Sequence, residues 1–376
     1  MTADLLSVSV KIVNLRPVSP QILVTGRRIL QDPHSSEPEP MPILSDRGKR
    51  QAILHSTTLL PRSLRVWTRY RLLANLEVGK ARRAGSVIIG HPKSGNTWLR
   101  TMIARAYQVK YGLPPTVALK TDELARLDSR APRFCVSNGF YTYEKALHEL
   151  LAGDRLDPEV ANKPVVFLVR HPADIAVSWY IQFTKRISPA KREMINATLT
   201  HPIDVERISR WDFVMNSEIG LSCVIDFLNE WERTLKNLNH TLTVRYEDLR
   251  STPYETLKKI TDFIGQPFDD DVLREAVEFG SFENLRKLEA SGFFKHGGMS
   301  RRKHAGPGTM KVRRGKAGGY REDFSAEQLQ EIDRLVGSRL SPTLGYGAAG
   351  EYDATIPAEL DPRRAVAGAP AKGPAA

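Results

Sequence analysis

The stretch Ser86-Val-Ile-Ile-Gly-His-Pro-Lys-Ser-Gly-Asn-Thr-Trp98 decides the fold. Its apolar run from Val87 to Ile89 reads as a short buried strand. Gly90, Pro92 and Gly95 break that run into a turn, after which Leu99, Met102, Ile103, Ala106 and Tyr107 recur on one helical face. Strand, turn and helix in this order aim backbone N–H groups and the positive end of a helix dipole at one point. Such a junction cradles an anion, usually phosphate. Gly90 and Gly95 keep the G-x-x-x-x-G spacing of a P-loop, but Asn96 stands where its lysine belongs, and the lysine is Lys93, inside the turn. Its ammonium therefore meets a bound phosphate from a different side than in an ATP-using P-loop.

Outward from this junction, the strand candidates are Phe134 to Ser137, Val165 to Val169 and Leu242 to Tyr246. Helical patterns alternate with them. One covers Val224 to Leu238, one follows Pro253 and stops at Gly265, and one opens on the capping box Ser325/Gln328. Strands alternating with helices predict an α/β fold, a central parallel sheet with helices on both faces. The main domain is expected over residues 86–346. Residues 1–85 form an N-terminal extension containing a linker, Ser35 to Pro42, and a basic amphipathic helix over 62–83; residues 347–376 form a disordered Ala/Pro/Gly-rich tail. The 62–83 helix admits two readings: peripheral contact with a membrane surface, or a lead-in helix packed on the main domain with a solvated basic face.

The run Val165 to Val169 ends on Arg170, and Pro172 suits the first turn of a helix that carries Ser178. Arg170 then stands at the carboxyl end of a strand, where open parallel sheets bind ligands. A P-loop NTPase carries an acid after the corresponding strand to help hold magnesium. A cation in that place argues for phosphate held by protein charge and no metal. Taken alone, Arg170 reads equally well as a structural ion-pair residue. From Lys295 to Arg321 there are nine Lys or Arg, no Asp or Glu, and several glycines, a loop suited to gripping phosphate. A nucleic-acid arm is the competing reading, weakened by the helix that follows at once, and no nucleic-acid partner is expected.

The totals agree with an anionic ligand. Lys plus Arg outnumber Asp plus Glu by 55 to 43, for a net charge of +12, although a merely basic protein has the same balance. Two cysteines argue against a disulfide framework and fit a reducing compartment. No stretch approaches the ~20 apolar residues of a membrane span, and residues 1–30 show no signal-peptide core. The expected location is cytoplasmic.

Taken together, the motifs resemble those of the sulfotransferases that use 3'-phosphoadenosine 5'-phosphosulfate (PAPS). Pro92-Lys-Ser-Gly-Asn-Thr-Trp98 is similar to the family's 5'-phosphosulfate loop, and Arg170 with Ser178 to its 3'-phosphate motif. Arg313-Arg314-Gly315, followed by Gly318, Tyr320 and Phe324, resembles the C-terminal R-K-G-x-x-G signature, and Tyr246-Glu-Asp248 and Ser281-Phe282 fall in the family's order. The resemblance runs over roughly residues 86 to 340 and implies a P-loop NTPase-like sulfotransferase fold. It implies PAPS as sulfuryl donor, 3',5'-adenosine bisphosphate (PAP) as product, no metal, and a small-molecule or glycan acceptor bearing a hydroxyl or, less favoured, an amine. Lys93 would contact the 5'-phosphate and stabilise the leaving oxygen, with Ser94, Gly95, Asn96 and Thr97 around the same phosphate. Trp98, Tyr246 and Phe282 would form the adenine pocket, though core packing is the ordinary fate of an aromatic. Arg170, Ser178, Arg313 and Gly315 would hold the 3'-phosphate, with Arg314 beside them.

The resemblance breaks at one position. Cytosolic members carry a catalytic histidine just after a strand, and Asn138 falls there in Arg133-Phe-Cys-Val-Ser-Asn138. Asparagine orients an acceptor hydroxyl but cannot remove its proton. His91, Glu144 and His148 lie near in sequence and read as surface or supporting residues, so the sequence assigns no base. A nucleotide-binding homologue without catalysis is the alternative function. Neither the acceptor nor the oligomeric state is legible.

Overall fold

The computed structural model describes residues 44–116, 122–138, 142–152, 156–294 and 315–346. The readings of residues 1–43, of Arg313 and Arg314, and of the tail after residue 346 lie outside these. Four strands, β1 (Ser86–Ile89), β2 (Phe134–Ser137), β3 (Val165–Val169) and β4 (Thr241–Arg245), form one parallel sheet in the order β2-β1-β3-β4. Both faces are covered, and the strands alternate between two cores as period-2 side chains require. Val87, Ile89, Cys135, Val165, Phe167 and Val169 join the core that holds Val224, Leu228 and Trp231 of the helix Leu221–Leu235. Ile88, Phe134, Val166 and Leu168 join the core that holds Leu99, Met102, Ile103 and Tyr107 of α3 (Asn96–Tyr111).

The fourth strand and one helix differ from the sequence reading at both ends. The fourth strand ends at Arg245, and Tyr246 opens the helix Tyr246–Ser251. The helix expected over Val224 to Leu238 runs from Leu221 to Leu235, because Gly220 ends the preceding segment against the carbonyls of Phe213, Val214 and Asn216, with no side-chain cap to mark the start. The capping box at Ser325 and Gln328 is formed, and Gly265 takes φ 72° after the helix Pro253–Phe263.

Upstream of the sheet lie α1 (Asp46–Ser56) and α2 (Arg62–Arg83). Ala81 of α2 is buried in the same core as Val87. Several of its basic side chains are consumed in packing: Arg69 is buried, pairs with Glu193 at 2.9 Å and donates to Thr57 Oγ1, and Arg83 pairs with Asp46 at 3.0 Å. The helix is thus packed on the main domain, while Leu64, Trp67 and Leu72 stay exposed on its outer side.

The order β2-β1-β3-β4 places a topological switch point between the carboxyl ends of β1 and β3. The pairs Ile89–Ser137 and Val169–Arg245 bring Gly90, Asn138, Arg170 and Tyr246 out at the same end of the sheet.

Candidate functional site

At the switch point the turn from Gly90 to Gly95 is built by close approach. A Cβ at Gly90 would collide with Asn96 Oδ1, and one at Gly95, whose φ is 107°, would come within 2.8 Å of Tyr246 Cδ2. Lys93 has φ 87°, the one non-glycine positive φ among the described residues. A side chain held in that region costs of order 1–3 kcal/mol and persists where the surroundings enforce it. Ser94 N–H donates to His91 O at 3.0 Å, closing the turn, and the first turn of α3 directs its N–H groups toward the same side. Ser94 Oγ is buried with no hydrogen-bond partner among the described residues.

Arg170 enters from β3. Its Nη1 donates to Lys93 O at 3.3 Å, and its Nη2 to Asp174 Oδ2 at 3.2 Å and to Lys316 O at 3.0 Å. The guanidinium carbon lies 4.2 Å from the Tyr246 ring centroid, and Nε is buried with no hydrogen-bond partner among the described residues. Burial works against its charge, but Asp174, Tyr246 and Glu247 hold its pKa above the ordinary arginine value. Asp174 also accepts from Gly318 N–H at 2.8 Å and Tyr320 N–H at 3.0 Å, so one carboxylate ties the 315–320 segment to the helix Pro172–Ile181. His171 caps that helix by accepting from Ala173 N–H, and its ring stacks on Tyr320 at 4.8 Å.

Three aromatics line one wall. Trp98 donates from Nε1 to Gly280 O at 2.7 Å, which fixes the indole, and meets Tyr246 edge to face at 5.6 Å. Gly315, with φ 56°, lies so close to Phe282 that a Cβ there would collide with the ring.

On the opposite side, past β2, Asn138 Oδ1 accepts from Asn96 Nδ2 at 3.0 Å. The nearby titratable groups are engaged elsewhere. His91 is wholly buried against Trp179 and Phe227, its Nδ1 donates to Pro92 O at 2.7 Å, and burial lowers its pKa to about 3. Burial alone would raise the pKa of Glu144, but its ion pair with Lys191 and the Thr142 hydroxyl bring it to about 2. His148 lies 2.8 Å from Thr234 Oγ1 and edge-on to Trp231.

A cavity of about 340 Å³ joins these parts. Its lining includes Lys93, Gly95, Asn96, Thr97, Trp98, Asn138, Arg170, Ser178, Tyr246, Phe282 and Gly315. Of the predicted site residues, Ser94 lies buried behind the lining, and Arg313 and Arg314 lie outside the described residues. The lining also contains Arg100, Asp174, Gln182 and Lys191, which sequence reasoning passed over. Arg100 stands four residues after Asn96 in α3, and that spacing was the available signal for it; Asp174 had none, since Arg170 precedes the helix Pro172–Ile181.

A family profile described as a sulfotransferase domain matches residues 84–343. The chain belongs to the sulfotransferase family. Among its relatives is flavonol 3-sulfotransferase of Flaveria bidentis, 25% identical over 281 residues, covering 68% of this chain and 81% of the relative. Cytosolic sulfotransferase 13 of Arabidopsis thaliana is 27% identical over 278 residues, with 69% and 78% covered. Of solved structures, mouse sulfotransferase SULT7A1 complexed with PAP aligns with a TM-score of 0.46 at 19% identity, over 68% of this chain and 83% of that one. The matched sulfotransferase domain takes in all four strands and every lining residue of the cavity.

Proposed function

We propose that the protein transfers a sulfuryl group from PAPS to an acceptor hydroxyl, or less favourably an amine, by in-line displacement without a metal. Family membership supports the reaction class, and the observation that carries the reading is the pairing of Lys93 and Arg170 at the switch point beside two buried polar atoms with no hydrogen-bond partner among the described residues, Ser94 Oγ and Arg170 Nε. Buried polar atoms without partners are costly, and an anion seated in the cradle would satisfy them. In this reading Lys93, Ser94, Gly95, Asn96 and Thr97 hold the 5'-phosphate. Arg170, Ser178, Arg313, Arg314 and Gly315 take the 3'-phosphate, and Trp98, Tyr246 and Phe282 the adenine. When bound, the donor supplies an activated sulfuryl group: a sulfur–oxygen bond to the acceptor forms as the one to the 5'-phosphate breaks.

Catalysis of such a transfer rests on positioning and charge stabilisation. Lys93 is the electrophile that meets charge developing on the leaving oxygen. Arg170, at the position of a metal-holding acid, supports charge neutralisation by the protein itself. Asn138, fixed by Asn96, orients the acceptor hydroxyl, and the burial of His91 and Glu144 leaves neither in place to take its proton. We place the protein in the cytoplasm, with a small-molecule acceptor, as its relatives' names suggest.

Radiolabelled PAPS incubated with phenol, sugar and aliphatic alcohol acceptors tests this reading. Label transfer to an acceptor, abolished in Lys93→Ala, is the expected result. PAP binding without transfer to any acceptor would favour the non-catalytic homologue.

A further inference from the structure

The cavity lining includes two cations, Arg100 and Lys191, that have no role in the donor reading. Arg100 stands one turn after Asn96 on the same face of α3, and Asn96 is the residue that holds Asn138. Helical side chains lean toward the N-terminus, and Arg100 does so: its Nη2 lies 3.4 Å from Thr97 Oγ1. Its Nε is buried with no hydrogen-bond partner among the described residues, and it lines the cavity. The adjacent carboxylate, Glu123 at the start of α4 (Glu123–Leu127), is outside the lining. Lys191 lines the cavity too, held by Glu144, which follows β2 and is itself buried behind the wall. Among the described residues the acids that line the cavity, Asp174 and Asp323, are occupied by Arg170 and the 318–320 backbone and by Arg210.

A guanidinium beside a helix N-terminus adds like charge to like. The adjacent Glu123 offsets part of that cost, burial works to lower the Arg100 pKa, and an anion in the cavity would offset more. The donor's phosphates have their own cations in Lys93 and Arg170. Arg100, one turn after Asn96 on α3, and Lys191 line the same cavity as Asn138.

Resting on the sulfotransferase reading, we infer that the natural acceptor is an anion: a hydroxylated molecule with a carboxylate, sulfate or phosphate group that Arg100 grips and Lys191 attracts. The hydroxyl reaches Asn138 while the anionic group lies against Arg100, whose fork suits planar carboxylate or tetrahedral oxyanion. Arg100 is then a specificity-determining residue, and acceptor choice separates from donor binding.

The test uses matched probes on the full-length protein saturated with PAPS or PAP. 4-Hydroxyphenylacetate is compared with 4-hydroxyphenylacetamide, and glucuronic acid with glucose, in label transfer and in calorimetric binding to the PAP-loaded protein. The expected result is at least a tenfold preference for the acid, which falls to about onefold in Arg100→Met, is largely restored in Arg100→Lys and is weakened in Lys191→Met. PAP affinity stays within twofold throughout. Equal response to acid and neutral partner, including response to neither, overturns the inference, as does loss of PAP affinity in Arg100→Met, which would assign that cation to the donor. Failure of the unaltered protein to bind PAP would instead strike the sulfotransferase reading itself.

Discussion

Arg170 Nη1 donates to the main-chain oxygen of Lys93, 3.3 Å away, across the point where the strand order reverses. The two cations predicted to face opposite ends of one nucleotide are thus joined through backbone, and the turn that gives Lys93 its positive φ is braced from β3. A brace of this kind holds the Arg170 guanidinium and the Lys93 backbone together before any ligand arrives, as electrostatic preorganisation requires.

Lys93→Ala is expected to lower kcat by about 10²–10³, the scale of losing one transition-state donor, while PAP affinity falls by less than about tenfold. Single-turnover kinetics and calorimetry measure the two separately. Equal losses would reduce Lys93 to a binding residue.

Asp174→Ala removes the acceptor of Gly318 N–H and Tyr320 N–H and the partner of Arg170. Leaving buried donors unsatisfied costs about 1–3 kcal/mol each, so the urea midpoint should fall clearly with an unchanged slope, and PAP affinity should fall with it because the 315–320 segment loses its tie. A variant that unfolds like the parent would show that other contacts hold this segment.

Gly95→Ala places a Cβ 2.8 Å from Tyr246 at φ 107°. A loss of about 1–3 kcal/mol in stability is expected from the backbone alone, with a drop in PAP affinity as the cradle shifts. Tyr246→Leu in the same chain should relieve the contact but not the φ penalty, so denaturation of the double variant separates the two.

The sheet was readable because β1, β2 and β3 are apolar runs with a turn signal or a charge at the end, and the cradle because displacement of Lys93 is visible in the motif. Tyr246 was misread as strand because an aromatic continues the Leu242 pattern; only the chain's turn into Tyr246–Ser251 ends it. Asp174 was invisible as a site residue because an acid in a helix reads as solvated, and its partners, Gly318 and Tyr320, lie 144 and 146 residues away. His91 borders the motif, and only the structure shows it packed between Trp179 and Phe227.

Stability should fall as pH drops below about 6.5. Burial lowers His91 to about 3 and His171 to about 4, against an ordinary value of 6.5. Both are depressed, so in this window the unfolded chain binds the extra protons; the full contribution is present above 6.5 and is lost progressively toward the folded values. At one pH unit below 6.5 each costs about 1.4 kcal/mol. Urea midpoints at pH 7.5 and 5.5 check this. His171→Asn, which can still cap the Pro172–Ile181 helix, should reduce the difference by about 1.4 kcal/mol, and an unchanged difference would refute the assignment for His171.

The central claim is that Lys93 and Arg170 form one metal-independent cradle for a nucleotide phosphorylated at both ends of its ribose. Calorimetric titration of the protein with PAP in EDTA, set beside ATP with magnesium, tests it most directly. Tight, stoichiometric PAP binding in EDTA, weakened at least tenfold in Arg170→Met, and weak binding of ATP are expected. Tight ATP binding that needs magnesium, or PAP binding indifferent to Arg170, would contradict it.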